Sequence, residues 1–158
     1  MEIRIGQGID FHRLAEGRDL WLGGIRIPSD KGSVAHSDGD VLLHAICDAI
    51  LGAAGLRDIG HHFPDTDQKW KDADSKVILR ECVGLAAGKG YKIINIDSTV
   101  CLEKPKISPF INEMCEVISR IAGTEPDAVS VKATTTEKLG FTGRSEGIVA
   151  LASVLLSR

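Results

Sequence analysis

The hydrophobic pattern of the chain changes its period at Asp40, and this change limits the fold more than any other feature. Between residues 3 and 9, isoleucines alternate with polar residues, which is the period of a β-strand. From residue 41 to residue 50, apolar residues recur three and four positions apart, as in a helix, until Gly52 weakens the pattern. The first third of the chain is therefore predicted to be rich in strands and to lead through a loop into a helix.

Later segments continue this mixture of strands and helices. Short apolar runs on both sides of Gly23 and Gly24 predict a β-hairpin. Ser75 is placed to cap a second helix, which glycines end near residue 90. A third helix is predicted within residues 107–123, and strands are predicted over residues 91–103, 128–134 and 147–156.

This order of elements predicts a single α+β domain over residues 1–158. A chain of 158 residues with 43% apolar residues is long enough to bury a core. We expect a two-layer domain in which helices cover one face of a mixed β-sheet. Because the last strand is apolar on both sides, the uncovered face is expected to pack against the sheets of other copies of the chain.

Charge and composition argue against several classes of protein. The 19 basic and 22 acidic residues give a net charge of −3, and the basic residues are scattered, so no nucleic-acid surface is expected. Cys47, Cys82, Cys101 and Cys115 form no C-x-x-C pair, which favours reduced thiols over disulfides or a thiolate zinc site. With no signal-peptide pattern and no long apolar run, we expect a cytoplasmic protein without membrane contact.

One aspartate and two histidines could form a metal site. Asp10 and His12 are two positions apart near the end of a strand, so their side chains leave the same face. Alone, such a pair is more often part of a turn or a surface. His44 would complete a His₂Asp set with an open fourth position, which is typical of a catalytic zinc. The alternative is that His44 is a core histidine bonded to the backbone.

Two carboxylates flank His44 on the same side of the predicted helix. Asp40 lies four residues before His44 and Asp48 four residues after it. Either carboxylate could hold the tautomer of the imidazole. Each could equally be a helix-start carboxylate or a solvated charge.

Residues 132–147 form a second polar constellation after a predicted strand. Threonine hydroxyls, backbone N–H groups and cationic side chains suit phosphate oxygens, and Glu137 among them could hold a divalent cation. The Walker pattern is absent. The alternative is structural, with threonines as strand formers and glycines in a turn. The polar segment of residues 57–75 is also longer than a simple connector and is typical of a binding loop or lid.

Four segments together resemble one enzyme family. They are DFH, AHSDGDVLLHAICDAILGAAGLRDIGHHFPDTD, KPKISP and VKATTTEKLGFTGRSEG, and in this order they extend over almost the whole chain. The sequence resembles the 2-C-methyl-D-erythritol 2,4-cyclodiphosphate synthases of the non-mevalonate isoprenoid pathway. The resemblance implies a lyase that cyclises 4-diphosphocytidyl-2-C-methyl-D-erythritol 2-phosphate to the 2,4-cyclodiphosphate and releases CMP.

The resemblance also implies roles for individual residues. Asp10, His12 and His44 would hold one zinc ion, or another divalent cation, in each subunit. Glu137 would hold a magnesium or manganese ion with the substrate. His36 and Thr135 would stabilise the transition state. The residues expected to contact the substrate are Asp10, His12, His36, Ser37, Asp58, Ile59, Gly60, Phe63, Pro64, Asp65, Thr66, Asp67, Leu102, Glu103, Lys104, Pro105, Lys106, Ile107, Ser108, Thr134, Thr135, Thr136, Glu137, Phe141 and Arg144.

At the level of assembly, the resemblance implies a homotrimer with a chorismate-mutase-like fold and three active sites, each between neighbouring subunits. Phe141, Arg144 and Glu146 match residues near the trimer axis, where a prenyl diphosphate is a further expected ligand. His61 and His62 match no fixed position and are interpreted as loop residues.

Two functions of other classes remain open at this point. A zinc-dependent phosphohydrolase acting on a nucleotide diphosphate would use a metal-bound water and leave linear products. A non-catalytic nucleotide-binding trimer with a structural metal would bind CDP without consuming substrate. The open His₂Asp set disfavours the second alternative, because structural zinc usually has four protein ligands.

Overall fold

The computed structural model describes all of residues 1–158 and contains seven strands and five α-helices. The strands are β1 (Ile3–Glu16), β2 (Leu20–Leu22), β3 (Ile25–Ile27), β4 (Lys31–Val34), β5 (Lys92–Cys101), β6 (Val129–Thr134) and β7 (Gly147–Ser157). The helices are α1 (Val41–Ala53), α2 (Ile59–His62), α3 (Ser75–Gly88), α4 (Ile111–Ala122) and α5 (Gly140–Gly143). None of the helices is both long and apolar enough to cross a membrane.

Five strands form one mixed sheet in the order β4-β1-β7-β5-β6. β1 pairs antiparallel with β7 along most of its length, from Ile3 opposite Ser157 to Arg13 opposite Gly147. Only β5 and β6 run parallel, and the connection between them contains α4. The predicted α+β class with a mixed sheet is confirmed.

Two glycines of β1 allow α1 to lie directly on the sheet. A Cβ atom added at Gly6 would overlap the carbonyl oxygen of Ala49, and one added at Gly8 would overlap that of Ala45. The strand and helix backbones are therefore in contact, a role for which glycine is suited because it has no side chain. α3 packs against α1, and the buried apolar side chains form one cluster of 35 residues.

The apolar residues at alternate positions of β1 point away from this core. Ile3, Ile5, Ile9 and Phe11 are between 50% and 75% exposed. They share a face with the half-buried Leu151 and its neighbours on β7. The expected uncovered apolar face is therefore present in the single chain.

The structure confirms most predicted elements and corrects others. β2 and β3 form the predicted hairpin, whose turn residues Gly23 and Gly24 have φ values of 60° and 81°, as a type I′ turn requires. The prediction that Ser75 caps α3 is wrong: Asp74 is the cap, and its carboxylate accepts the N–H of Lys76. Ser75 is the first helical residue instead. The short helices α2 and α5 were not predicted, since four residues are too few to show a helical period.

All four cysteines are free thiols. Cys47 and Cys82 lie in the core, and Cys101 and Cys115 are half-buried. Burial raises the pKa of the Cys101 thiol and of the Cys115 thiol. A raised pKa favours the protonated form, which is less reactive and a poorer metal ligand than the thiolate.

Candidate active site

Three potential metal ligands converge between β1 and α1. The ligand atoms of Asp10, His12 and His44 all lie within 4.8 Å of one another. Asp10 Oδ2 is 3.0 Å from His12 Nδ1 and 3.2 Å from His44 Nδ1. The predicted convergence of these side chains is therefore found in the structure.

The backbone explains why these side chains meet. Asp10 and His12 continue the row of even positions that includes Gly6 and Gly8, so they face α1. His44 lies in the first turns of α1, on the side that faces β1. Since strand and helix are in backbone contact just before this point, the three side chains share a narrow space.

Burial and charge act in opposite directions at this cluster. Burial raises the pKa of Asp10, but the neighbouring imidazoles of His12 and His44 lower it more and hold it well below its ordinary value. Burial lowers the pKa of His44, but the hydrogen bond to Asp10 and nearby acidic charges raise it above the ordinary value. Asp10 is therefore ionised at neutral pH, and its negative charge favours a cation at this position.

The donor set fits a divalent cation. His12 Nδ1 is buried and lies close to Asp10 Oδ2, yet it has no partner in hydrogen-bond alignment. An unpaired buried nitrogen that points at a carboxylate and a second imidazole is suited to a metal ion between them. Two nitrogens and one oxygen from the protein leave room for a further ligand.

A cleft of about 440 Å³ opens above the three ligands. His36 and Ser37 lie on its wall, and Ser37 Oγ is 3.3 Å from His44 Nε2. Ala35 and Ile78 also line the cleft, and the rest of the wall comes from the polar segment of residues 57–75, which is predicted to be a binding loop. The lining residues of that segment are Ile59, Gly60, Phe63, Pro64, Asp65 and Trp70. We call Asp10, His12, His36, Ser37 and His44 the metal half-site.

Neither Asp40 nor Asp48 is hydrogen-bonded to the imidazole of His44, so that interpretation is wrong for both, and Asp40 is the helix-start carboxylate of the alternative. Asp40 is the cap of α1 and accepts the N–H groups of Leu43, Gly23 and Gly24. Burial raises its pKa to about 6, although these N–H groups oppose the shift. Asp48 accepts the N–H of Ile59 and so fixes the start of α2.

Three residues of the polar segment that are predicted to contact the substrate do not line the cleft above the metal half-site, namely Asp58, Thr66 and Asp67. Asp58 caps α2 by accepting the N–H of His61. Thr66 and Asp67 are exposed and do not line the cleft. His62 Nε2 is 2.8 Å from the carbonyl oxygen of Leu56, which fits its interpretation as a loop residue.

A separate group of predicted substrate residues lies next to β5 and β6, on the other side of β7 from β1. Leu102–Ser108 follows β5 and residues 134–137 follow β6, so parallel pairing places both at one end of the sheet. Most of Leu102–Ser108, with Thr134 and Thr135, line a second cleft of about 200 Å³, whereas Lys104, Thr136 and Glu137 do not line it. We call these two segments the loop half-site. No residue lines both this cleft and the one above the metal half-site.

Glu103 organises the loop half-site. Its Oε1 accepts the N–H of Thr136 at 3.2 Å and that of Lys138 at 3.0 Å. Glu137 and Lys138 have φ values of 53° and 65°, which are unfavourable for residues other than glycine. Thr135 Oγ1 donates to Glu137 Oε1 at 3.2 Å. Glu103 thus holds a strained turn, and this turn presents the hydroxyl of Thr135 and the carboxylate of Glu137 to solvent.

Phe141, Arg144 and Glu146 lie near a third cleft. Phe141 and Glu146 line it together with Phe11, Arg13 and Lys31, and the rings of Phe11 and Phe141 are 6.2 Å apart. Arg144 makes a bidentate, exposed ion pair with Glu146 at 2.9 and 3.1 Å. Neither cleft of the two half-sites contains Phe141 or Arg144.

Sequence reasoning missed three residues at the metal half-site. Trp70 lines the cleft and packs edge-on against Phe63, with ring centres 4.9 Å apart. Ser75 Oγ is 2.9 Å from His44 Nε2 and also contacts Asp38. The serine at a helix start had been interpreted as a cap, which is the commonest use of that residue there.

Comparison with known proteins gives a consistent result. The model of the YgbB family matches residues 3–157. A 2-C-methyl-D-erythritol 2,4-cyclodiphosphate synthase from Bacteroides fragilis is 56% identical over 158 residues, which cover 100% of this chain and 99% of that protein.

Solved structures agree with this similarity. A solved 2C-methyl-D-erythritol-2,4-cyclodiphosphate synthase in a CDP-bound form superposes with a TM-score of 0.90 at 42% identity, covering 98% of this chain and 100% of that one. The bifunctional IspDF of Campylobacter jejuni superposes with a TM-score of 0.94 at 47% identity; the match covers 98% of this chain and 42% of that protein. With a family model that spans nearly all of its residues and a relative more than half identical over its full length, the chain belongs to the YgbB family, which is the family of the 2-C-methyl-D-erythritol 2,4-cyclodiphosphate synthases.

Proposed function

We propose that this protein converts 4-diphosphocytidyl-2-C-methyl-D-erythritol 2-phosphate to 2-C-methyl-D-erythritol 2,4-cyclodiphosphate and CMP, as a lyase of the non-mevalonate isoprenoid pathway. The observation that carries this proposal is the convergence of Asp10, His12 and His44 below a cleft. It occurs in a chain that matches synthases over its whole length. Residues 1–158 would form one synthase domain, since the buried apolar residues form one core.

Metal ions would serve both halves of the site. Asp10, His12 and His44 would hold zinc, or another divalent cation, and Glu137 would hold magnesium or manganese together with the substrate. When bound, such ions supply Lewis acidity and neutralise charge on phosphoryl oxygens. Glu137 is exposed and lies beside Thr135, so its carboxylate is free to reach a ligand.

The chain itself acts by positioning its substrate. No protein nucleophile is needed, because an oxygen of the 2-phosphate attacks the β-phosphorus of the same molecule. The bond from that phosphorus to the α,β-bridging oxygen breaks, and the oxygen leaves with CMP. Holding both ends of one molecule in reacting geometry removes an entropic barrier that is worth about 7–11 kcal/mol in favourable cases.

Three side chains would contribute most to this positioning. His36 and Ser37, on the wall of the cleft, would donate hydrogen bonds to phosphate oxygens. Thr135, with His36, would stabilise the charge that develops in the transition state. The rest of residues 58–67 and 102–108, with Thr134 and Thr136, would surround the methylerythritol, ribose and cytosine.

A homotrimer would bring the two half-sites together. Within one chain they line separate clefts. The uncovered face of β1 presents a row of half-exposed isoleucines, which a sheet-to-sheet contact would bury. In such a chorismate-mutase-like assembly, the metal half-site of one subunit would face the loop half-site of the next.

The third cleft would then lie near the trimer axis and could take a prenyl diphosphate. Phe11 and Phe141 would contact the apolar chain, and Arg13 and Lys31, which line the cleft, would contact the phosphates. Arg144, which pairs with Glu146 beside the cleft, would contribute a further positive charge. Calorimetry with geranyl diphosphate tests this ligand. Phe141→Ser should weaken the binding, and an unchanged affinity would contradict the assignment.

The decisive experiment uses the purified protein, the cytidyl substrate and magnesium, followed by ³¹P NMR and by CMP release with and without a zinc chelator. We expect two coupled phosphorus signals of a cyclic diphosphate, one CMP for each product molecule, and loss of both with the chelator. CMP accompanied only by linear phosphates would instead identify a phosphohydrolase. Tight CDP binding without turnover, in protein that contains zinc, would identify a binding module.

A further inference from the structure

Both ring nitrogens of His44 have partners. Nδ1 faces Asp10 Oδ2 at 3.2 Å, which is the side of the metal half-site. Nε2 lies on the other side of the ring from Asp10 and is 2.9 Å from Ser75 Oγ. A second hydroxyl, Ser37 Oγ, is farther from Nε2, at 3.3 Å. The closest polar neighbour on the outer side of the ring is therefore Ser75.

The direction of the hydrogen bond between His44 and Ser75 follows from a third residue. Ser75 Oγ donates a hydrogen bond to Asp38 Oδ1, and the backbone N–H of Ser75 donates to Asp38 Oδ2 at 2.9 Å. A carboxylate can only accept, and a serine hydroxyl has only one hydrogen. With that hydrogen directed at Asp38, Ser75 Oγ must accept a hydrogen bond that the N–H of His44 Nε2 donates.

This direction fixes the tautomer of the ring. When Nε2 carries the proton, Nδ1 is the nitrogen whose lone pair is available in the neutral imidazole. Nδ1 is also the nitrogen that faces Asp10. We infer that Asp38 and Ser75 are positioning residues that hold His44 in the tautomer and ring orientation needed to bind the metal ion. This inference rests on the metal site of the proposed function.

The surroundings leave few substitutes for these two residues. Ser75 is fully buried, so bulk water cannot replace its hydroxyl. Asp38 is also fixed through its backbone, because its N–H donates to the carbonyl oxygen of Ala73 at 3.1 Å. A second backbone hydrogen bond between the same two segments runs from the N–H of Asp72 to the carbonyl oxygen of His36, at 2.8 Å. The segments that hold the tautomer are therefore tied to each other at two points.

The test compares zinc affinity in the full-length wild-type protein, Ser75→Ala and Asp38→Asn, by competition with a chromophoric chelator. Loss of a partner of this kind typically weakens metal binding about 10–100-fold, and we expect a loss in this range for Ser75→Ala. In Asp38→Asn, an amide donor replaces one accepting oxygen, so the hydroxyl of Ser75 is no longer committed to donate away from His44. Zinc binding should weaken in this variant as well.

Side-chain ¹⁵N NMR of the zinc-loaded protein gives a readout that general destabilisation would not move. The wild type should show His44 protonated at Nε2 and metal-bound at Nδ1, and each variant should lose this single pattern. Ser98→Ala is the matched control, since Ser98 is an equally buried serine whose hydroxyl donates to a backbone carbonyl elsewhere in the sheet. It should leave both the affinity and the spectrum unchanged.

The outcomes separate this inference from the proposed function. Wild-type affinity in a folded Ser75→Ala, or in Asp38→Asn if Ser75→Ala does not fold, would overturn the inference and leave the zinc site intact. A wild-type protein that binds no zinc would overturn the metal site itself and, with it, the inference. Zinc bound through His44 Nε2 in the wild type would also overturn the inference, because Nε2 would then carry no proton for Ser75, and it would leave the zinc site of the proposed function intact.

Discussion

The two half-sites differ in how the protein holds them. In the metal half-site, Asp10 and His12 lie on a long strand, His44 lies in the first turns of a buried helix, and His36 and Ser37 lie in the connection before that helix. A chain of hydrogen bonds holds His44. The loop half-site consists of segments that follow β5 and β6, and Thr135 and Glu137 are exposed. The three residues that would hold zinc thus lie on a strand and a helix, whereas Glu137, which would hold magnesium or manganese, lies on an exposed turn. The groups that would meet a neighbouring subunit lie on the surface.

Removal of His44 should have the largest effect. The His44→Ala variant would lose one of three metal ligands, and Lewis-acid stabilisation worth several kcal/mol corresponds to roughly a 10³-fold loss of rate. Zinc content by mass spectrometry and CMP release should fall together. Wild-type turnover in this variant would contradict the role of the metal half-site. Treatment of the wild type with a chelator should produce the same loss.

Removal of Glu137 should separate the two half-sites. Glu137→Ala should retain zinc but lose about 10²-fold in turnover, because a charge-stabilising group is absent in the transition state. Loss of zinc from this variant would show that the half-sites are not independent. Zinc content and turnover are measured as for His44→Ala.

Mixing the two inactive variants tests whether neighbouring subunits share a site. If His44→Ala and Glu137→Ala are refolded together, random trimers should contain about one quarter of sites with both residues intact, and activity should return to that level. Each variant refolded alone is the control. Absence of recovery in trimers shown to be mixed would place both residues in the same subunit's site.

Gly8→Ala should damage the metal half-site through the backbone. The added Cβ would overlap the carbonyl oxygen of Ala45, so β1 and α1 must separate, at a cost of about 1–3 kcal/mol or more in the free energy of unfolding. Zinc affinity should fall too, while the loop half-site stays intact. Gly52→Ala is the control, because its Cβ would meet nothing within 4 Å, and it should stabilise the protein by about 0.5–1 kcal/mol. Denaturant unfolding measures both.

Glu103→Ala should have the smallest effect on rate and should be confined to the loop half-site. The variant lacks the carboxylate that accepts the N–H groups of Thr136 and Lys138, so the strained turn at Glu137 and Lys138 would be released. We expect roughly a 10-fold lower kcat with unchanged zinc content, equivalent to one hydrogen bond of about 1.4 kcal/mol. Glu103→Gln keeps an accepting oxygen and should recover most of the rate. An equal loss in both variants would indicate that the charge of Glu103, rather than its hold on the turn, matters.

The fold was largely predictable because its elements are long and strongly periodic. β1, α1 and α4 each show a clear period, β7 is a nearly continuous apolar run, and their interpretation is confirmed. The period of β1 did not reveal that Gly6 and Gly8, rather than the isoleucines, face the helix. Alternation identifies two faces of a strand, but the direction of each depends on what packs against it.

The candidate metal-binding triad could be predicted from its residue types, whereas the groups around it could not. Asp40 and Asp48 have suitable helical spacing to His44, yet their carboxylates bind backbone N–H groups. The actual partner, Ser75, is 31 residues from His44 in sequence. A single sequence shows neighbours along a helix, but it does not show contacts that depend on how separate elements pack.

The half-exposed isoleucines of β1 also suggest that the specific activity depends on protein concentration. If these faces form the contact between subunits, assembly follows mass action, and the fraction of complete sites depends on how much protein is present. On dilution below the dissociation constant of the trimer, each subunit would keep its metal ion and lose its catalytic partner. Specific activity would then decline with dilution even though no chain had unfolded.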